Sequence, residues 1–194
     1  MYLAAHTVYT QPTVEPVTLA EAKAHLRVDG DDENALIAQL IVAARRSCEE
    51  WARRAFITQT LDLRLEAWPG TTLELPMPPL QSVTSISYTD SNGATGTVTS
   101  TDYTVYATTD PGRIVLKSDK AWPGVDLLPG PSLVVRYVAG YGLAASVPAN
   151  YKQAILLLVG SLYENREALV VGTVVSKLPF AVEMLLMTDR VSWY

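Results

Sequence analysis

Hydrophobic spacing along the chain changes period twice. Between residues 31 and 56, apolar residues recur at Leu36, Ile37, Leu40, Ile41, Ala44, Cys48, Trp51, Ala52 and Ala55, the spacing of one helical face. Neither Gly nor Pro interrupts this stretch. The pattern predicts one helix of about 21 to 24 residues, with Asp31, Asp32 and Glu33 at its positive end. Upstream, Thr18-Leu-Ala-Glu21 is a capping box, which opens a short helix through about Val28 with Leu19, Ala22 and Leu26 inward. Residues 1–16, with Pro12 and Pro16, read as an extended arm.

From Ile57 the period becomes two. Leu61, Leu63 and Leu65 alternate with Asp62, Arg64 and Glu66, the mark of a half-buried strand. Further strands are expected around Leu73 and Leu75 and over residues 82–89, 97–100, 103–108, 112–118 and 132–138. The turn signals between them include Pro69-Gly70, Asn92-Gly93 and Pro111-Gly112. After Pro148 the helical period returns, with Ala154, Ile155, Leu158, Leu162 and Tyr163 on one face of a helix ending near Arg166 or Glu167. Residues 168–178 read as a flexible loop around Gly172, and Phe180–Met187 as a last short helix. The expected fold class is therefore α+β: a small bundle of about four helices with an inserted antiparallel β-domain. Residues 1–56 form the arm and the first half of the bundle. Residues 57–144 form the insert of six or seven strands, and residues 145–194 the second half and a C-terminal tail.

Composition supports a packed core, at 48% hydrophobic and 18% charged residues. The net charge of −5 is spread as −2, −3 and zero over residues 1–56, 57–144 and 145–194, so no basic cluster stands ready to grip phosphates. Cys48, the single cysteine, lies on the apolar side of the long helix and reads as a small buried hydrophobe. Residues 1–10 lack the pattern of a signal peptide, and the apolar run 154–162 is too short to span a bilayer. A soluble protein made in a reducing cytoplasm, without membrane contact, is expected.

Catalytic chemistry finds little footing. His6 and His25 stand outside any metal-ligand spacing, and neither a G-x-S-x-G elbow nor a Gly-rich phosphate loop is present. Asp29, Asp31, Asp32 and Glu33 do not follow the calcium-loop order. Glu164, Arg166 and Glu167 read as charges closing a helix, and the scattered tyrosines as a sugar-binding face or, equally well, as cross-strand packing. No catalytic, cofactor-binding or metal-binding residues are assigned, and the chain is not expected to be an enzyme.

Two features read as contact surfaces. Arg45, Arg46, Glu49, Glu50, Arg53 and Arg54 are expected on the outer face of the long helix, where i,i+4 spacing pairs opposite charges. They form a solvated ladder or a subunit interface. Arg190, Trp193 and Tyr194 place anchor-type side chains in a tail that would otherwise fray, so they either fold back on the chain or dock on a partner.

The order of these segments resembles the head–tail connector, or adaptor, proteins of long-tailed bacteriophages. The likeness rests on Pro16-Val-Thr-Leu-Ala-Glu-Ala-Lys-Ala-His-Leu-Arg27, then Asp31-Asp32 and Leu36-Ile37 with the long helix. It continues through Arg54-Ala-Phe-Ile-Thr-Gln-Thr60, Leu75-Pro-Met-Pro-Pro-Leu-Gln-Ser-Val83, Tyr137-Val-Ala-Gly-Tyr-Gly142 and Tyr163-Glu-Asn-Arg-Glu167. The resemblance implies a structural virion protein without cofactors, forming a ring, usually dodecameric, beneath the portal protein. Such a ring joins the capsid vertex to a downstream stopper or tail-completion protein, and DNA passes through it without specific binding. Two alternatives stay open: another neck component of the stopper or tail-completion kind, and a carbohydrate- or receptor-binding module built on the β-domain.

Overall fold

A computed structural model describes residues 5–165, 178–188 and 190. Its chain divides into two compact units, residues 1–12 with 58–140 and residues 13–57 with 141–194. Among the described residues they carry four α-helices and antiparallel sheets, the α+β class expected. The predicted loop over 168–178 lies outside the described residues except for Leu178.

The first unit is built of strands β1 (Ala5–Thr10), β2 (Gln59–Leu65), β3 (Thr72–Glu74), β4 (Leu80–Thr89), β5 (Thr95–Thr97), β6 (Tyr103–Tyr106), β7 (Arg113–Leu116) and β8 (Leu133–Ala139). Five of them form an antiparallel sheet in the order β1-β2-β8-β4-β5, and three a second sheet in the order β3-β7-β6. The alternation of β2 sets the register: Leu61, Leu63 and Leu65 stand opposite Tyr137, Val135 and Leu133, and all six are buried. At the β4–β5 turn, Gly93 takes φ +84°, a left-handed conformation that glycine adopts without strain. The Asp90 carboxylate accepts from the N–H groups of Asn92 and Ala94, each at 2.9 Å, and holds that turn. Close approach explains Gly112, where a Cβ would stand 2.4 Å from Leu80 Cβ.

Here the first residues depart from expectation. They are not a free arm, because β1 pairs antiparallel with β2 and forms one edge of the larger sheet. In consequence Asp62, which alternation assigned to solvent, is buried. Arg136 forks onto it at 2.8 and 2.9 Å, and the Tyr9 ring lies 3.3 Å from that guanidinium.

The second unit holds helices α1 (Leu19–Leu26), α2 (Asn34–Ala52), α3 (Ala149–Glu164) and α4 (Phe180–Met187), with a 3-10 turn at Ala144–Ser146. The capping box forms: Thr18 Oγ1 accepts from the Glu21 N–H at 3.2 Å, and Glu21 Oε2 accepts from the Thr18 N–H at 2.7 Å. Its core joins Ile37, Ile41, Ala44 and Cys48 of α2 to Ala154, Ile155 and Val159 of α3 and Val182 and Leu186 of α4. The Phe56 ring stacks on Tyr151 at 4.3 Å.

α2 is shorter than its apolar pattern predicts, at 19 residues. Arg53 turns left-handed, φ 55°, and ends the helix so that Ala55, Phe56 and Ile57 can enter the interior. At the other end Glu33 occupies the cap position without a side-chain capping bond, its carboxylate accepting instead from the Tyr163 hydroxyl, while Asp31 pairs with Lys23 at 2.8 Å and accepts from Asn34 Nδ2. α3 also stops earlier than expected, at Glu164, where Asn165 caps it by donating its N–H and its Nδ2 to the Ser161 carbonyl.

Candidate functional site

The charge ladder of α2 divides in two. Arg46, Glu50 and Arg53 are exposed, but Arg45, Glu49 and Arg54 are buried, Arg45 being only 2% exposed. The outer-face placement is thus corrected for these three residues. Arg45 follows Ile41 by four positions and precedes Cys48 by three, which sets it on the flank of the apolar face; that spacing was the available signal. With Arg53 left-handed, the helix ends at Ala52, before the ladder's last two residues.

The buried members form a connected cluster. Arg45 Nε donates to Glu15 Oε2 at 2.7 Å, and its Nη1 donates to Glu49 Oε2 at 2.6 Å. The other oxygen of Glu49 accepts from the Phe56 N–H at 2.7 Å. Arg54 Nη1 reaches the Tyr141 hydroxyl at 3.4 Å, and the Tyr141 N–H donates to the Phe56 carbonyl. Glu15 and Tyr141 were not singled out from the sequence, since neither lies in a local pattern with α2. Burial raises the Glu49 carboxyl above the ordinary glutamate value, against the opposing pull of Arg45 and the Phe56 N–H. Burial likewise pulls Arg45 down, but Glu49 and Glu15 outweigh it and hold the guanidinium protonated. Cys48 is buried, and its thiol is pushed up to about 12 by burial, which suits a packing role.

Of the tail residues, Arg190 lies with its guanidinium 4.5 Å from the Trp51 ring of α2, a cation–π contact within the helical unit. Trp193 and Tyr194 lie outside the described residues. In the β-unit, Trp68 and Trp122 stack on one another and donate their indole N–H groups to the carbonyls of Val125 and Gly70. Their polar handles serve the long loop before β8. Among the described residues no cluster of three or more His, Cys, Asp or Glu could hold a metal ion. None of the described helices is long and apolar enough to cross a membrane.

Known structures share this fold. A chain from the neck of an empty gene transfer agent particle, computed with C6 symmetry, is 24% identical with a TM-score of 0.78, covering 98% of this chain and 97% of that one. One from the virion of a native gene transfer agent particle is 23% identical with a TM-score of 0.77, covering 97% and 96%. A third, from the neck of the native particle computed with C12 symmetry, is 23% identical with a TM-score of 0.72, covering 97% of each chain. A search of curated proteins gives no match. The sequence model of the head completion protein family matches residues 15–172, and the chain belongs to that family. The resemblance to phage head–tail connector proteins is thereby borne out, and with it a structural role at the head–tail neck.

Proposed function

We propose that this chain is the adaptor of the neck: a non-enzymatic ring beneath the portal that links the capsid vertex to a stopper or tail-completion protein. The observation that carries the reading is the family match over residues 15–172, which takes in most of both the β-unit and the helical unit. Similar chains in necks computed with C6 and C12 symmetry support a ring, with twelve copies the expected number. In this reading the helical bundle, interrupted by the β-insert of residues 57–144, packs side by side around the channel. The net charge of −5 suits a conduit that does not hold DNA back by attracting its phosphates. The protein is made in the host cytoplasm and resides in the virion.

Arg46, Glu50 and Arg53 remain the ladder residues available to a ring neighbour, and Arg190, Trp193 and Tyr194 the proposed portal anchor. Mass measurement of the purified chain with and without portal tests the assignment. A monomer alone and a ring on the portal are expected, and deletion of residues 188–194 should abolish portal binding while leaving the monomer folded. Unchanged portal binding by the deletion variant would sink the anchor. A chain that never associates with portal would sink the adaptor reading itself.

A further inference from the structure

β1 joins the edge of its sheet without putting side chains into the core, since residues 6–10 are all exposed. Its seat consists of the register on β2 and one aromatic contact. Thr7 stands opposite Asp62, and Tyr9 reaches across β2 to Arg136 of β8. The Tyr9 ring lies 3.3 Å from the guanidinium that forks onto Asp62. Such a seat selects its occupant: a strand laid on β2 needs an aromatic ring two positions beyond the residue facing Asp62, and β1 supplies it. With residues 6–10 unburied, the strand belongs to the low-stability end of the fold and can leave while the rest stays closed.

The chain that follows β1 is anchored differently. Glu15 is held by Arg45, and Pro16 and Val17 are buried, so β1 hangs from a fixed point by residues 11–14. Gln11, Thr13 and Val14 are exposed and Pro12 stiffens the link, which spans at most about 14 Å when extended. Residues 11–58 separate β1 from β2, and residues 13–57 of them fold in the other unit. No hairpin turn therefore obliges β1 to pair with the β2 of its own chain. An exposed strand on a short, stiff arm can pass to another copy with every bond of its seat kept. A cyclic assembly also requires each subunit to offer its neighbours two unlike surfaces, and a donated strand and its seat are unlike.

We infer that β1 pairs with its own β2 in the free chain and with the β2 of the next copy in the ring. The inference rests on the ring proposed above and assigns a contact within it. Cysteine trapping tests it, because Thr10 stands opposite Thr60 and the native Cys48 is buried and stays silent. Oxidised as the free chain, Thr10→Cys/Thr60→Cys should form an internal disulfide and remain monomeric. Oxidised in assembled particles, it should give a covalent ladder of multimers, and neither single variant should do so. An internal disulfide in particles that carry the ring overturns the exchange and leaves the ring intact. Absence of any disulfide in both states overturns it as well, since the pairing itself would be missing. Amide hydrogen exchange on the free chain gives an independent reading: amides bonded between β1 and β2 should exchange about tenfold faster, or more, than those between β2 and β8. Equal rates overturn the inference, because a strand that opens only with the whole sheet cannot be handed over. Wild-type particles without a ring would remove both readings.

Discussion

Replacing Arg45 by methionine is the sharpest probe of the helical unit. Arg45 donates to the Glu49 carboxylate at 2.6 Å, and it also holds Glu15. Methionine fills much of the same space but strips the buried Glu49 of its charge-assisted bond from Arg45. Removing one partner of a buried pair costs about 3–5 kcal/mol. For a chain of this length, each 1 kcal/mol lowers the melting temperature by about 2–4 °C, so a drop of roughly 6–20 °C is expected near neutral pH. The loss should depend on pH in a defined sense. Glu49 already has a folded value raised above its ordinary 4.5, and losing Arg45 removes the largest cause that lowers it. A carboxyl raised in the folded state opposes folding above its folded value, and the penalty fades as pH falls through that value toward 4.5. The gap between variant and wild type should therefore narrow on acidification from neutrality. Urea titrations followed by far-UV circular dichroism measure it, with Arg46→Met as the exposed control, expected to stay within about 0.5 kcal/mol. A cost below about 1 kcal/mol, or a gap that does not change with pH, would refute the reasoning.

Other consequences concern both units. Arg136→Met strips the buried Asp62 of its two charge-assisted bonds and should cost about 1–3 kcal/mol by denaturant titration. Arg136 holds Asp62 below its ordinary 3.8, so this pair stabilises above that pH and is lost as pH falls through the lowered value; the variant should lack that acid-dependent loss. Gly112→Ala places a methyl group 2.4 Å from Leu80 Cβ and should destabilise the β-unit by about 1–3 kcal/mol, seen as an earlier thermal transition. Thr18→Ala removes one half of the capping box and should cost about 0.5–2 kcal/mol, with faster amide exchange at Glu21.

Much of this fold can be read locally. Alternation in β2, the Asn92-Gly93 hairpin, the Thr18–Glu21 box and α4 over Phe180–Met187 are each written into a few adjacent residues, and each forms as expected. The departures come from bonds between distant residues. β1 carries no run of buried alternating positions, since His6 to Thr10 are all exposed, and only its pairing with β2 gives it a place in the sheet. Asp62 looks like a solvent-facing residue of an alternating strand until Arg136, 74 positions away, closes over it. A left-handed Arg53 has no glycine to announce it. The helix ends there because the Glu49 carboxylate takes up the Phe56 N–H that one more turn would have left in the ladder. α4 was legible only as a short apolar helix; which of its residues face outward follows from how Val182 and Leu186 dock.

Burying charge is expensive, so the place where this chain does it calls for a reason. The backbone passes between its two units three times, at residues 12–13, 57–58 and 140–141. On the helical side of each passage a residue is fastened to the C-terminal half of α2 or the turn just after it: Glu15 by Arg45, Phe56 by Glu49, and Tyr141 by Arg54. Apolar contacts alone would hold three converging segments loosely, because they carry no direction, whereas the forked guanidinium and the two-oxygen carboxylate each fix an approach line. The same four-residue period that turns Arg45 and Glu49 inward turns Arg46 and Glu50 outward. The same stretch therefore sets where segments enter the unit and leaves the alternate charges exposed. This division predicts a clean separation of phenotypes, with Arg45→Met lowering monomer stability and Arg46→Glu acting on assembly alone. A melting curve and a ring assay on the same two variants would show whether the two effects separate.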